Sequence, residues 1–397
     1  MSKSKSRTVK TRILLISDTH AALPEAVNDG AARTPFHAPL PSADVLIHTG
    51  DLTMTGSLDE HERALELILS IDAPLKIVIP GNHDLTLDRE YYAAHHGLHA
   101  RYARYDDATL ERIQDMYSGP DAQEAGVRYL VEGRESFKLQ NGARLNVYAS
   151  AWQPEFFNWA FGYPRSCDRF NLTHKPSLSP ENPVPDFKPG TVASETETET
   201  ETERGNGNGN GNVDVMLTHG PPMGILDKVT RTRESVGCIH LRRAVERCRP
   251  RLHCFGHIHE AWGAVRKRWD VDVDVGSQGT GTRAMITTAG DVDSEMEWTA
   301  TSGKVEGKPT GQFDPEHNPT TVYDDDDGRR SNSSVPGETL IQPGPYQSQI
   351  DRMAAYVDAT DLEHGKETVF ANASIMNLRY RAVNAPWVID VELPLVE

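Results

Sequence analysis

The sequence has no long apolar run. Its longest, such as Ile13-Leu14-Leu15-Ile16, reach about five residues, whereas a membrane span takes about 20, so no transmembrane helix is expected. The same run is too short for the core of a secretory signal, despite the basic residues Lys3, Lys5, Arg7, Lys10 and Arg12 before it. A cytoplasmic location without membrane attachment is therefore expected. Cysteines are few: Cys167, Cys238, Cys248 and Cys254, with no C-x-x-C spacing. That excludes a disulfide framework and a zinc knuckle and points to reduced, partly buried thiols. Hydrophobic residues make up 37% of the 397 residues, below the usual level of about 45–50%, so part of the chain is expected not to fold. An excess of positive charge is also lacking, since the net charge is −17. Nothing in the bulk charge suggests a groove for nucleic acid. There is no internal repeat.

The acidity is local. Residues 171–212 carry a net −4 and residues 291–368 a net −11, leaving the remainder near neutral. The first of these segments contains Pro176, Pro180, Pro183, Pro185 and Pro189, then a Thr-Glu tract at 195–203 and a Gly-Asn tract at 205–212. So little apolar content cannot offset chain entropy, and 171–212 reads as a disordered surface insertion. A second insertion, 276–368, reads as mostly irregular, with a short helix near 350–357. Its four aspartates, Asp324 to Asp327, lack the glycine and distal glutamate of a calcium loop and read as a solvated charge run.

What remains alternates between strands and helices. Residues 13–17, 45–48, 75–79, 145–149, 213–218 and 252–255 are short apolar runs, several of which lead straight into Gly, Asp or His. This is the pattern of strands buried on both faces, with function at their C-terminal ends. Ser57 with Glu60 makes a capping box ahead of Ala64, Leu65, Ile68 and Leu69. Leu241, Ala244, Val245 and Cys248 form one apolar helical stripe. The expectation is a single α/β domain over 11–394, interrupted twice.

Five of those strand ends carry side chains able to bind metal: Asp18-Thr19-His20, Gly50-Asp51, Gly81-Asn82-His83-Asp84, Thr218-His219-Gly220 and Gly256-His257-Ile258-His259. In D-x-H and H-x-H the alternate residues of an extended segment would face the same ion. Carboxylate and amide oxygens mixed with imidazoles suit Mn, Fe or Zn rather than calcium. A single histidine at a strand end is more often structural, but five such ends in one chain point to a metal centre.

This set resembles the calcineurin-like metallophosphoesterases, within them most the metallophosphoesterase-domain-containing branch. Further matches are Ala151-Trp152-Gln153-Pro154, Asn158-Trp159-Ala160-Phe161, the run from Val213 through Pro222, Val236-Gly237-Cys238, the run from Leu252 through Glu260, and Asn372-Ala373-Ser374. The resemblance covers roughly 11–163, 213–275 and 369–394. It implies two mixed β-sheets packed face to face with helices outside. It implies two divalent ions, one on Asp18, His20, Asp51 and His259, the other on Asp51, Asn82, His219 and His257, with Asp51 bridging. Some members of the branch have glycine where this chain has His257, so His257 argues for a competent site. The two acidic insertions depart from the family pattern.

The chemistry implied is hydrolysis of a phosphodiester or phosphomonoester, with hydroxide generated at the ions attacking phosphorus. A small phosphate ester is the expected substrate, and cyclic nucleotides are among those the resemblance suggests. His83 is the candidate general acid. Asp84 either orients His83 or caps the turn that follows. A ligand-binding scaffold on a decayed version of the fold, and a nuclease, are the alternatives. Trp152, Phe156, Phe157, Trp159 and Phe161 form either an aromatic wall beside the site or loop packing. His48 reads as a satisfied core histidine, and His95, His96 and His99 as a polar helix face. The sequence says nothing about oligomeric state.

Overall fold

The computed structural model describes residues 7–27, 32–95, 104–173, 179–189, 211–269 and 337–396. Residues 270–336 lie wholly outside them. The tracts at 195–203 and 205–210, the aspartates at 324–327, and His96 and His99 likewise lie outside the described residues.

The strands, numbered in chain order, are β1 (Thr8–Ile16), β2 (Val45–Thr49), β3 (Leu75–Ile79), β4 (Val127–Tyr129), β5 (Glu132–Lys138), β6 (Arg144–Ser150), β7 (Gln153–Pro154), β8 (Gly162–Tyr163), β9 (Val215–Thr218), β10 (Leu252–Phe255), β11 (Gly263–Arg268), β12 (Glu338–Ile341), β13 (Ala355–Ala359), β14 (Glu367–Asn372) and β15 (Trp387–Pro394). The helices are α1 (Leu58–Ser70), α2 (Arg89–His95), α3 (Asp107–Ser118), α4 (Pro120–Glu124), α5 (Ile239–Cys248) and α6 (Tyr346–Arg352). One sheet has the order β13-β15-β1-β2-β3-β4 and the other β12-β11-β14-β10-β9-β6-β5. Both are mixed: β1, β2 and β3 run parallel, while β15 pairs antiparallel with β1. In the second sheet β6, β9, β10 and β14 run parallel, flanked by antiparallel β5 and β11.

Strand alternation explains the layers. Ile13 and Leu15 of β1, Val45 and Ile47 of β2, and Ile77 and Ile79 of β3 join one core with Val147, Leu217, Leu252 and Val369 of the other sheet. The intervening Leu14, Ile16, Leu46 and Val78 face the opposite way and pack with Ala64, Leu67 and Ile68 of α1 and Ile113 and Tyr117 of α3. On the outer face of the second sheet, Met216, Phe255 and Phe370 meet Leu241, Ala244, Val245 and Cys248 of α5. Two sheets therefore pack face to face with helices outside, the expected sandwich. Burying each such aliphatic side chain contributes about 1.5–3 kcal/mol. The Glu60 carboxylate accepts from the Ser57 backbone N–H at 3.1 Å at the start of α1.

Both expected insertions need correction within the described residues. Residues 179–189 of the first are docked. Val184 is buried with Phe170, Tyr148 and Val245, its N–H bonds to Phe170, and the Phe187 N–H bonds to Arg247. A short apolar anchor at Val184 and Phe187 is enough here, although the surrounding sequence is prolines and acids. The described residues of the second insertion, 337–368, hold β12, α6, β13 and the start of β14. The helix ends at Arg352, where Met353 takes a left-handed backbone. Residues 355–359 form β13 rather than helix, because Ala355, Val357 and Ala359 alternate inward.

Candidate metal centre

The parallel strands of both sheets deliver their C-terminal ends to one edge. There the Asp18 N–H bonds to Gly50 O at 2.9 Å, continuing the β1–β2 pairing, and the Ile375 N–H bonds to Ser17 O at 3.1 Å, tying the two sheets together. The side chains do not converge through strand alternation, as the D-x-H and H-x-H spacing had suggested. Asp18 (φ 52°), His20 (φ 45°), Asp51 (φ 53°) and His257 (φ 69°) all have left-handed backbone. Each cost is of the order of 1–3 kcal/mol, which the surrounding fold must over-determine. Glycine lets the loops approach each other: a Cβ on Gly256 would lie 2.0 Å from Asp18 Oδ2, and one on Gly81 2.3 Å from Asp51 Oδ1.

Asp18, His20, Asp51 and His259 form one buried group, and Asp51, His219 and His257 a second that shares Asp51. In each, the donor atoms lie within 4.8 Å of one another. Asn82 joins the second group, its Oδ1 lying 2.8 Å from His219 Nε2 and 2.8 Å from His257 Nδ1. The structure thus brings together all seven candidate ligands.

Three of the imidazoles are oriented by backbone carbonyls. His20 Nδ1 donates to Thr53 O (3.0 Å), His219 Nδ1 to Thr49 O (2.9 Å) and His259 Nδ1 to Asn377 O (3.3 Å). Each therefore turns its Nε2 lone pair inward when neutral. What those lone pairs meet is other acceptors. His219 Nε2 faces Asn82 Oδ1 and, at 3.4 Å, Asp51 Oδ1. His20 Nε2 faces His259 Nε2 at 3.3 Å and Asp51 Oδ2 at 3.8 Å. His259 Nε2 also faces Asp18 Oδ1 at 3.4 Å. Acceptor against acceptor in a dry pocket is repulsive unless a cation or proton lies between them. Divalent ions shared between these oxygens and nitrogens would relieve that repulsion, and the residues fit them.

The ionisation states follow. Burial lowers His20 to about 4 and His257 to about 3, so both are neutral near pH 7, as metal ligands must be. Burial raises Asp18 and Asp51. For Asp18 the hydrogen bond and charge of His259 outweigh that, and for Asp51 the charges of His219, His83 and His20 do, so both carboxylates end up lowered. Burial lowers His259, but its bond to Asp18 prevails and raises it.

Asp18 is fixed from two further directions. The His257 backbone N–H donates to both its oxygens at 3.0 Å, and Ser374 Oγ donates to Oδ2 at 2.7 Å. Asn372 donates to Ile258 O at 2.9 Å, between the two histidines of G-H-x-H. The Asn372-Ala373-Ser374 triplet was visible in the sequence, but these roles were not.

His83 sits beside this cluster. Its backbone N–H donates to Asp51 Oδ1 at 2.9 Å, and its ring meets that of His20 edge to face at 4.8 Å. His83 Nδ1 donates to Met54 O at 2.8 Å, which leaves Nε2 as the other working atom. Asp84 does neither thing expected of it. Its carboxylate accepts from Leu52 N–H (3.2 Å), Thr53 N–H (2.8 Å), Thr53 Oγ1 (2.7 Å) and Gly81 N–H (2.7 Å). It neither contacts the His83 ring nor caps the short helix Leu85–Leu87 that follows. Four donors at the ends of β2 and β3 outcompete both partners, so Asp84 acts through Thr53, whose carbonyl holds His20. Burial, with the charge of Asp51, pushes Asp84 up to about 6.

The aromatic segment divides. Trp159 stacks on His83 with centroids 4.1 Å apart. Phe161 is buried, Trp152 lies beneath the Arg169 guanidinium, and Phe156 and Phe157 are exposed. Tyr380 was not singled out by the sequence: its ring packs edge-on at 5.0 Å from His20 and 5.3 Å from His259. His48 is a core histidine, bonded to Thr19 Oγ1 at 2.9 Å and to the Gly50 N–H at 3.3 Å. His95 stacks on Tyr91 and belongs to neither group of candidate ligands.

The family model for calcineurin-like phosphoesterases matches residues 11–261. The chain belongs to that family, a class of metallophosphoesterases. It is 32% identical over 257 residues to the human and mouse proteins named metallophosphoesterase domain-containing protein 1, an alignment covering 64% of this chain and 62% of theirs. It is also 29% identical over 262 residues to a protein of Emericella nidulans named probable rhamnogalacturonate lyase C, covering 66% of this chain and 18% of that one. The chain thus spans under two thirds of the length of the mammalian relatives. No helix among the described residues is long and apolar enough to cross a membrane.

Proposed function

We propose that this chain is a dinuclear metal-dependent phosphoesterase that hydrolyses phosphodiesters or phosphomonoesters of small molecules, cyclic nucleotides among them. The observation that carries this reading is the pair of buried groups sharing Asp51, whose inward-facing oxygens and imidazole nitrogens lie close enough together to share cations. Asp18, His20, Asp51 and His259 would hold one ion, and Asp51, Asn82, His219 and His257 the other. The mixed oxygen and imidazole donors suit Mn, Fe or Zn. Two bound divalent ions supply a nucleophile at neutral pH and offset charge on the phosphoryl oxygens.

The chain's own residues do the rest. Carbonyls of Thr49, Thr53 and Asn377 fix the imidazoles before substrate arrives, and Ser374 and the His257 N–H fix Asp18. With Nδ1–H committed to Met54 O, His83 can give up a proton from Nε2, beside the cluster, only as the imidazolium, and it is left neutral once the proton has gone. Delivering that proton to the leaving oxygen spares the release of an alkoxide. The test is a turnover screen of metal-reconstituted protein against aryl phosphate monoesters, aryl phosphodiesters and cyclic nucleotides. Hydrolysis that depends on added metal is expected. No turnover with any of the three metals would overturn the reading in favour of a binding protein on this fold.

A further inference from the structure

Residues 377–381 form a tight hairpin tip at the mouth of the centre. It is closed by Asn377: its N–H donates to Arg381 O and its carbonyl accepts from Tyr380 N–H, both at 2.9 Å, while its Oδ1 accepts from the N–H groups of Arg379 and Arg381. The Tyr380 ring takes no part in this closure. It is 45% exposed, and its hydroxyl has no hydrogen-bond partner among the described residues. Yet its backbone is held at φ 54°, a left-handed conformation that a tyrosine adopts only at a cost. The strain places the ring edge-on to His20, His259 and, at 6.2 Å, His83. Trp159 stacks on that same His83 imidazole. Exposed Leu378 lies next to one ring in the chain, and exposed Phe156 and Phe157 precede the other.

A half-exposed ring with an unused hydroxyl, set by strained backbone against the group that would protonate the leaving oxygen, does little for the fold. We infer that Tyr380 is a substrate-contacting specificity residue that, with Trp159, forms a leaving-group subsite for esters of aryl alcohols. The inference rests on the phosphoesterase reading and adds to it which esters are preferred. A flat apolar leaving group would lie against the Tyr380 ring, whereas a small polar alcohol of equal acidity would leave that ring in water. Contacts of this kind favour the aryl ester by about two- to tenfold.

The test compares methyl phenyl phosphate with a methyl fluoroalkyl phosphate whose alcohol matches phenol in acidity, so that chemistry is constant and only the flat face changes. Metal-reconstituted wild type should show the aryl preference in kcat/KM. Tyr380→Ala should abolish it with metal content kept, and Tyr380→Phe should retain it, since the ring and not the hydroxyl is responsible. Tyr380→Leu, which keeps apolar bulk without a flat face, covers the case in which the alanine variant is unstable. A second readout is calorimetric binding of phenylphosphonate against methylphosphonate by the same proteins. Equal kcat/KM for the two esters in wild type, equal loss of both in Tyr380→Ala, or equal binding of the two phosphonates would each overturn the inference. A protein that turns over neither ester sinks the hydrolase reading alone. In that case, a phenylphosphonate preference lost in Tyr380→Ala would still support the subsite.

Discussion

Asp18 has contacts on every side, which makes it sensitive to a change as small as one carbon. Gly256→Ala would put a Cβ 2.0 Å from Asp18 Oδ2 and 2.1 Å from Ser17 Oγ, and neither atom can retreat from its bonds to Ser374, the His257 N–H and Gly50 O. Crowding of this kind costs about 1–3 kcal/mol. The variant should melt lower and bind metal more weakly, by thermal denaturation and metal titration; unchanged metal affinity would show that Asp18 is not a ligand. His83→Ala separates proton donation from packing. A p-nitrophenolate leaves unaided, so the loss there should be modest, while alkyl and nucleoside esters should lose about 10²–10⁴ in rate. Turnover plotted against leaving-group pKa should steepen in the variant; parallel lines would move the proton to another donor. The seven ligand candidates were legible because each lies just beyond an apolar run and all but His259 sit beside glycine or threonine. Tyr380 was not, since nothing in Asn377-Leu378-Arg379-Tyr380-Arg381 marks a turn back to the site. Asp84 was misjudged because adjacency to His83 in sequence says nothing about which donors surround a carboxylate.

At the scale of elements, strands buried on both faces announced themselves. β1, β2, β3, β9 and β10 lie between core layers and are mostly apolar in their buried stretch, with single polar residues such as His48, Lys76 and His253 among them. β5 and β12 are edge strands broken up by charged and polar residues, among them exposed Glu135, Ser136 and Lys138 and half-buried Glu132, Arg134 and Glu338, so no apolar run betrays them. The docked residues 179–189 were hidden by their prolines and acids. They give a prediction that distinguishes two parts of one insertion. Lys188 and Asn212 already close its base, through Lys188 N–H to Asn212 Oδ1 at 2.7 Å and Asn212 Nδ2 to Lys188 O at 2.9 Å. Replacing 190–210 by a short Gly-Ser linker should therefore leave the melting temperature nearly unchanged. Extending the deletion to 179–210 removes Val184 and Phe187 and should lower it by several degrees, since burying Val184 alone contributes about 1.5–3 kcal/mol. Equal melting of the two deletions would show that the anchor adds nothing.

At the scale of the whole molecule, buried neutral histidines tie stability to pH. His48, His61 and His253 are fully buried, and burial lowers each to about 3. His61 is enclosed by Tyr117 OH at 2.9 Å and Thr86 Oγ1 at 2.8 Å and is not among the candidate metal ligands. In the unfolded chain a histidine takes up its proton near its ordinary value of 6.5, and in the folded protein only near 3. The folded state is therefore favoured above pH 6.5 and loses about 1.4 kcal/mol per pH unit for each such histidine as pH falls from there toward 3. Urea denaturation of metal-free protein between pH 7.5 and 5 should show this decline. His61→Gln should be less stable at pH 7.5 yet decline less steeply; an unchanged slope would mean that His61 is protonated in the folded state.

The shared carboxylate is the centre of the account, and one paired measurement bears on it directly: bound metal per chain and turnover of an aryl phosphodiester, taken on the same samples of wild type and Asp51→Asn across a metal titration. Asp51 contributes to both donor groups, so its loss should remove activity more completely than loss of any terminal ligand such as His257. Wild-type activity should rise until about two ions are bound per chain, the stoichiometry of a two-metal phosphoesterase, and Asp51→Asn should fail to reach it. Full wild-type activity with a single ion bound, or an Asp51→Asn protein that binds two ions and turns over normally, would contradict it.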